Sequence, residues 1–444
     1  MKPHQFKRVL LHVRFELNRF QSALHKLQSC EFPSSIALSL ISEQQTEATT
    51  VSSDLDQIEL DFKDDPAGAA ARLVSEFRKM VSRRRYLEVL EKARSDEVPW
   101  SLVPSIESLA SQLLPAYDVL ITTTPDMNYM VGWGSKSATI YLPRLHRANG
   151  FLHVLVGHEL FHPIVTEFFV TEKPKYIIQL RDLCQKHLAK LGVPADLFFQ
   201  QRLDALLDHA TQQWEKALTE LMCDMGATAL FGPAALWTLS GFAATQDMNS
   251  PPAQNFQYYP PWRMRIRVVL DFLKDYLDAE NLLDALAVEL RAAELPKHAD
   301  TLATCLSGEQ IDFKSSDLSP EPMRELSVQV YDLVEACIPA ASSFVLEKAK
   351  SFPKRWTETI SEVPLLLTRL LMHVPPSELI EGKKQESDAA SLTGIVMTCW
   401  LERLKLESED RLDLSSFRRL CRLMLKAIED AELKRNFSDW AASQ

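Results

Sequence analysis

Two histidines and a glutamate in the segment HELFH have the spacing of a metal-dependent hydrolytic site. His158 and His162 lie four residues apart, so on a helix they project from one face and can bind one metal ion. Glu159 could take the proton of a metal-bound water as that water attacks a carbonyl. The surrounding segment, residues 151–162, is largely apolar, and burying these three side chains would be costly without a function. The pattern predicts a zinc (Zn2+) site with Glu159 as general base.

A catalytic zinc ion usually has three protein ligands and one open position. Glu220 and Asp224, four residues apart in TELMCDMGA, are candidates on a second helix. Glu220 would complete a set of two histidines and one carboxylate. Asp224 would accept a hydrogen bond from the free ring nitrogen of a ligating histidine and fix its tautomer. The alternative is a solvated acidic pair, but the apolar neighbours of both residues favour the ligand interpretation.

Three segments in this order resemble a known group of peptidases. They are HELFH at 158–162, ELMCDMGA at 220–227 and YYPPWRMRI at 258–266. An HExxH helix followed by ExxxD is the pattern of the glutamate-zincins. The three segments are similar to HELGH, ExxADxxGA and THPPxxxRI of the CAAX prenyl endopeptidases and bacterial heat-shock membrane proteases. The resemblance covers residues 117–270 and implies a zincin-like core that hydrolyses peptide bonds.

Some residues depart from the family pattern. Phe161 replaces a glycine, which could alter the packing over the metal. Pro163 is expected to end or kink the helix, because its ring clashes with the carbonyl of Glu159. Tyr259 stands where the family has a histidine that hydrogen-bonds the transition-state oxyanion, and a tyrosine hydroxyl can donate the same bond. Tyr258 is the alternative donor.

The resemblance also implies roles for an arginine and a strand. Arg265 matches the family's arginine and is a candidate catalytic residue; the alternative is an arginine on a helix surface. The strand SATIYLP, which ends at Pro143, would line the substrate cleft, where an extended peptide adds to its edge. A protein or peptide would then be the substrate.

The elements that must position these residues indicate an α+β fold that is mainly helical. Three β-rich runs between residues 117 and 143 predict one small sheet. Residues 5–30 form an amphipathic pattern that predicts a helix, whereas the polar stretch 46–57 predicts a linker or mobile loop. The expected domains are an N-terminal helical region (1–115), a zincin-like metallopeptidase core (116–275) and a C-terminal helical region (276–444).

Composition limits the possible partners and location. The net charge of the 444 residues is -11, which argues against nucleic-acid binding. Seven scattered cysteines without a CxxC pair argue against a disulfide framework or a cysteine zinc site. We find no signal peptide and no apolar run long enough to span a membrane. A cytoplasmic protein is expected, with a regulatory partner protein possible.

Three hypotheses remain open from the sequence alone. The first is an active zinc endopeptidase whose flanking helices restrict or present the substrate. The second is a catalytically inactive zincin-fold module that binds or regulates another protein. The third is a helical interaction protein with a chance HExxH match, which arises in roughly one protein of this length per hundred. The third hypothesis predicts no stoichiometric metal.

Overall fold

The computed structural model describes most of the chain. The described residues are 3–34, 36–94, 102–124, 130–133, 137–144, 147–194, 198–243, 259–305, 324–350, 356–379 and 388–443. They form fourteen α-helices and five short β-strands, which confirms the expectation of a mainly helical protein with a small sheet. The chain divides into two compact units. The first contains Met1–Glu107 and Ala116–Arg147, and the second contains Ser108–Pro115 and Ala148–Gln444. The three-domain division stays a prediction.

Three long helices, α1 (Pro3–Gln28), α2 (Ile36–Asp61) and α3 (Pro66–Lys92), open the first unit. The helix predicted over residues 5–30 is confirmed as α1. The loop predicted over residues 46–57 is wrong, because this stretch lies inside α2. Its buried residues follow one another at intervals of three and four, as one face of a helix requires. They are Ala37, Ile41, Gln44, Ala48, Val51, Leu55 and Ile58.

A three-stranded sheet completes the first unit, and its strands confirm the three predicted runs. They are β1 (Asp118–Thr124), β2 (Met130–Trp133) and β3 (Ser137–Pro143). The order is β1-β3-β2, with β3 parallel to β1 and antiparallel to β2. Because β3 is central and paired on both edges, an extended peptide cannot add to it as the sequence suggested. Helix α4 (Val103–Leu113) precedes the sheet in the chain.

The second unit contains the second half of α4 and ten further helices in the described part of the chain. A 3-10 turn, Gly150–Val154, leads into the first of them. The helices are α5 (Leu155–Lys190), α6 (Phe199–Phe231), α7 (Pro233–Ala243), α8 (Trp262–Leu277), α9 (Ala279–Ala292), α10 (Pro296–Cys305), α11 (Arg324–Ala349), α12 (Trp356–Leu371), α13 (Leu392–Ser408) and α14 (Leu414–Ala442). A two-stranded ribbon pairs β4 (Glu378–Leu379) with β5 (Asp388–Ala389). None of the described helices is long and apolar enough to cross a membrane.

Helix α5 continues through Pro163, so the helix end predicted at this proline is wrong. A proline inside a helix costs roughly 3 kcal/mol through a lost hydrogen bond and a steric clash. The side chains around it are deeply buried, including Leu160, Phe161 and Val165. The burial of this apolar segment offsets the local cost, so packing rather than intrinsic propensity decides the length of α5.

Candidate metal centre

Two glycines allow α5 and α6 to approach each other closely. A Cβ atom added to Gly226 would lie 2.2 Å from the Phe161 ring, and one added to Gly157 would lie 3.3 Å from the Cα atom of Ala227. Phe161, which departs from the family pattern, therefore fills the space over Gly226 between the two helices. This close packing brings the HELFH face of α5 opposite the ELMCD face of α6.

His158 is the centre of the resulting cluster. Its Nδ1 atom lies 2.8 Å from Oδ1 of Asp224, within hydrogen-bonding distance. Its Nε2 atom lies 3.4 Å from Oε2 of Glu220. Both ring nitrogens of this buried histidine therefore face a carboxylate, and the Asp224 contact is the one expected of a residue that orients a metal ligand.

Arg265 of α8 joins the same cluster. Its Nε atom donates to Oδ2 of Asp224 at 2.7 Å and its Nη2 atom donates to Oδ1 at 2.8 Å. Nη2 also lies 3.3 Å from Oε2 of Glu220. The guanidinium stacks over the Trp262 ring at 4.5 Å, and the residue is only 5% exposed. The alternative of a surface arginine is therefore wrong.

Glu159 and His162 form the side of the cluster nearest to solvent. Oε2 of Glu159 lies 3.8 Å from Nε2 of His162. The exposed fraction of the side chain is 18% for His162 and 12% for Glu159, against 5% for Glu220 and 2% for Asp224. A ligand entering from solvent would therefore meet Glu159 and His162 first, while the acidic pair stays behind them.

Tyr259 is placed beside Glu220, to which its side chain is hydrogen-bonded. Burial and the charge of Glu220 raise the pKa of Tyr259, so its hydroxyl stays protonated and can act as a donor. The structure thus brings this departure from the family pattern into the cluster. Tyr258, the alternative oxyanion donor, lies outside the described residues.

Cys223 is a member of the cluster that the sequence interpretation missed. One ligand atom each of His158, His162 and Cys223 lies within 4.8 Å of the other two, in a group that could hold a metal ion. Glu220 is not part of this group, although it approaches His158. The absence of CxxC pairs did not exclude a cysteine here. The sequence signal that could have identified Cys223 is helical spacing, because Cys223 follows Glu220 by three residues and lies on the same face of the helix.

Opposite charges balance in the deepest part of the cluster. Burial alone would lower the pKa of His158, but hydrogen bonds and charge from Asp224 and Glu220 raise it to about 10. Burial opposes ionisation of both carboxyls, yet His158 and Arg265 lower the pKa of Glu220 to about 2 and that of Asp224 to about 2. At neutral pH two cations therefore face two anions.

The outer pair behaves differently. Burial raises the pKa of Glu159 to about 8. Burial and the charge of His158 lower the pKa of His162 to about 4. At neutral pH His162 is therefore neutral and ready to bind a metal, whereas Glu159 is mostly protonated until a cation binds beside it. Perturbed groups of this kind concentrate at functional sites.

One pair of donor atoms has the spacing found in a zinc site. Two ligand atoms of a tetrahedral zinc site, with bonds of roughly 2.0–2.2 Å, lie about 3.3–3.5 Å apart. The separation of 3.4 Å between Nε2 of His158 and Oε2 of Glu220 matches this value. Imidazole, carboxylate and thiolate are the zinc ligands most common in proteins. The thiol of Cys223 has a pKa raised by burial and by the neighbouring carboxylates, so it would need a bound cation to ionise.

Comparison with known proteins gives no further assignment: no protein-family model, curated protein or solved structure matches the chain.

Proposed function

We propose that this protein is a zinc-dependent endopeptidase, with His158, His162 and Glu220 holding the metal and Glu159 acting as general base. The observation that carries the proposal is the contact of His158 with Glu220 and Asp224 at one buried point, with Glu159 and His162 on its exposed side. Zinc, when bound, would supply a Lewis acid that polarises a carbonyl and lowers the pKa of water. A zincin-like core and a cytoplasmic location belong to the same proposal.

The protein's own residues have distinct tasks in this reaction. Asp224 accepts a hydrogen bond from Nδ1 of His158, so that Nε2, beside Glu220, would be the ring nitrogen that binds the metal. Arg265 keeps Asp224 ionised through its two hydrogen bonds. Glu159 accepts a proton from the attacking water and passes it to the leaving amine. Tyr259 donates a hydrogen bond to the oxyanion, the role expected at its position.

Replacement of Glu159 with glutamine tests this assignment. The amide is nearly the same size but cannot accept the proton, so we expect hydrolysis of an unfolded, fluorescently labelled protein to fall by about 100- to 10,000-fold. Zinc content should stay at the wild-type value. Glu167→Gln is the matched control, because Glu167 lies on the same helix and its side chain is 62% exposed. Wild-type turnover in Glu159→Gln would rule out this residue as the base.

A second candidate function has one observation in its favour. The two cations and two anions at the centre of the cluster balance without a metal ion. Such a network can be purely structural, as in an inactive module that binds or regulates another protein. This candidate predicts that the purified protein folds and remains stable in chelator but binds no stoichiometric zinc.

A further inference from the structure

Helices α5 and α6 offer four potential metal ligands rather than three. His158 and His162 come from one helix, and Glu220 and Cys223 from the other. Cys223 stands where the family motif described above has an alanine. Its sulfur and one ring nitrogen of each histidine lie within 4.8 Å of one another, and the side chain is fully buried. The cysteine therefore faces the position where the proposed zinc ion would bind.

The number of ligands separates two kinds of zinc site. A catalytic zinc ion has three protein ligands and an open position, whereas a structural zinc ion has four and no open position. The two histidines and Cys223 form one group of ligand atoms, and Glu220, 3.4 Å from Nε2 of His158, would be the fourth ligand of a tetrahedral site. Zinc binds thiolate sulfur strongly, and a coordinated thiol loses its proton. Within the described residues, Cys223 is the one cysteine that belongs to a group able to hold a metal.

We propose that Cys223 is a fourth zinc ligand that closes the site in a resting state. This inference rests on the proposed function and adds a means of restraint to it. As the zinc–sulfur bond forms, the S–H bond breaks and the proton passes to solvent. In the reverse step the sulfur leaves the metal and regains a proton from solvent, which opens the fourth position. The protein is then active only in the fraction of molecules whose sulfur has left.

Cobalt(II) provides a direct probe of the sulfur, because cobalt bound to thiolate has a strong charge-transfer absorption in the near ultraviolet. The full-length protein is stripped of metal with a chelator and titrated with cobalt(II) under reducing conditions. We expect one equivalent to bind and to give this absorption in the wild type. We expect Cys223→Ala to bind cobalt without it. Cys399→Ala is the matched control, since Cys399 is also fully buried but outside the cluster, and it should keep the absorption.

Turnover supplies the second readout. With zinc bound, Cys223→Ala keeps two histidines and Glu220 as ligands and has a permanently open position. We expect its turnover to rise by about tenfold, which corresponds to a resting state populated about ten to one over the open state. Circular dichroism of each variant checks that the fold is kept. The wild-type absorption spectrum tests the sulfur ligand even if Cys223→Ala does not fold.

The outcomes separate this inference from the proposed function. Cobalt binding by the wild type without charge-transfer absorption overturns the role of Cys223 and leaves the peptidase proposal intact. If only Cys223→Ala loses the charge-transfer absorption and neither protein hydrolyses the substrate, Cys223 is a metal ligand. The peptidase proposal is then overturned, and so is the proposal that Cys223 controls turnover. Equal turnover of the wild type and Cys223→Ala overturns the switch. Failure of the wild type to bind cobalt overturns both proposals.

Discussion

Replacement of Asp224 with asparagine probes the most highly connected side chain of the cluster. The change keeps the size of the side chain but removes its charge and one of its two acceptor oxygens. Asp224 accepts two hydrogen bonds from Arg265, at 2.7 and 2.8 Å, and faces Nδ1 of His158 at 2.8 Å. An asparagine amide group must point an N–H toward at least one of these donors. The substitution therefore leaves a buried donor unsatisfied.

The expected cost follows from the burial of Arg265. Breaking a buried ion pair by removing one partner costs roughly 3–5 kcal/mol, because the other charge stays buried. Glu220, at 3.3 Å from the same guanidinium, remains as a second anion. We therefore expect the lower end, a loss of about 3 kcal/mol in the free energy of unfolding. Zinc affinity should fall by roughly 10- to 100-fold, as it does when a residue that orients a ligating histidine is removed.

Urea unfolding in the presence of a chelator measures the free energy of unfolding, and competition with a zinc-binding dye measures the zinc affinity. Asp300→Asn is the control, because Asp300 pairs with Arg291 while its side chain is 72% exposed. Exposed pairs of this kind contribute little, so this variant should unfold as the wild type does. If Asp224→Asn matches the wild type in both unfolding and zinc affinity, the cluster does not work as described.

Two further predictions concern the chemistry of the site. Tyr259→Phe should lower turnover in steady-state hydrolysis by about 100- to 1,000-fold at unchanged zinc content. Wild-type turnover would refute the donor role. Loss of zinc would show that the hydroxyl instead holds Glu220 in place. Because the pKa of His158 is raised to about 10 in the metal-free site, zinc must displace its proton at neutral pH. Zinc affinity measured by calorimetry should therefore rise about tenfold per pH unit between about pH 6 and pH 8 in Cys223→Ala, where His158 alone loses a proton, and about 100-fold per pH unit in the wild type, where the thiol of Cys223 also loses one. An affinity independent of pH would contradict this charge assignment.

The sequence predicted the elements whose signals are local. Helix α1 follows a strong apolar stripe, and the three strands follow β-rich runs. The spacing of four residues within HELFH and within ELMCD placed each pair on one helical face. The burial of both segments then indicated that these faces meet. A contact of Asp224 with one of the two histidines could therefore be anticipated, and the structure shows that the histidine is His158.

Other features depend on contacts that sequence patterns do not report. The buried face of α2 contains Gln44 and Ala48, so its helical periodicity is weak in hydrophobicity alone. Pro163 is tolerated because long-range packing offsets its local cost. The central position of β3 is set by strand pairing order, which its own residues do not encode. Spacing places Cys223 on the same face of α6 as Glu220, but only the packed structure shows that its sulfur lies close to both histidines.

The metal content of the purified protein tests the central claim most directly. We predict one zinc ion per chain in the wild type after dialysis against zinc-free buffer, measured by inductively coupled plasma mass spectrometry. The double variant His158→Ala, His162→Ala should contain none. His187→Ala, which removes a buried histidine of α5 outside the cluster, should keep the full amount. A wild type without bound metal, or a double variant with full occupancy, would contradict the account.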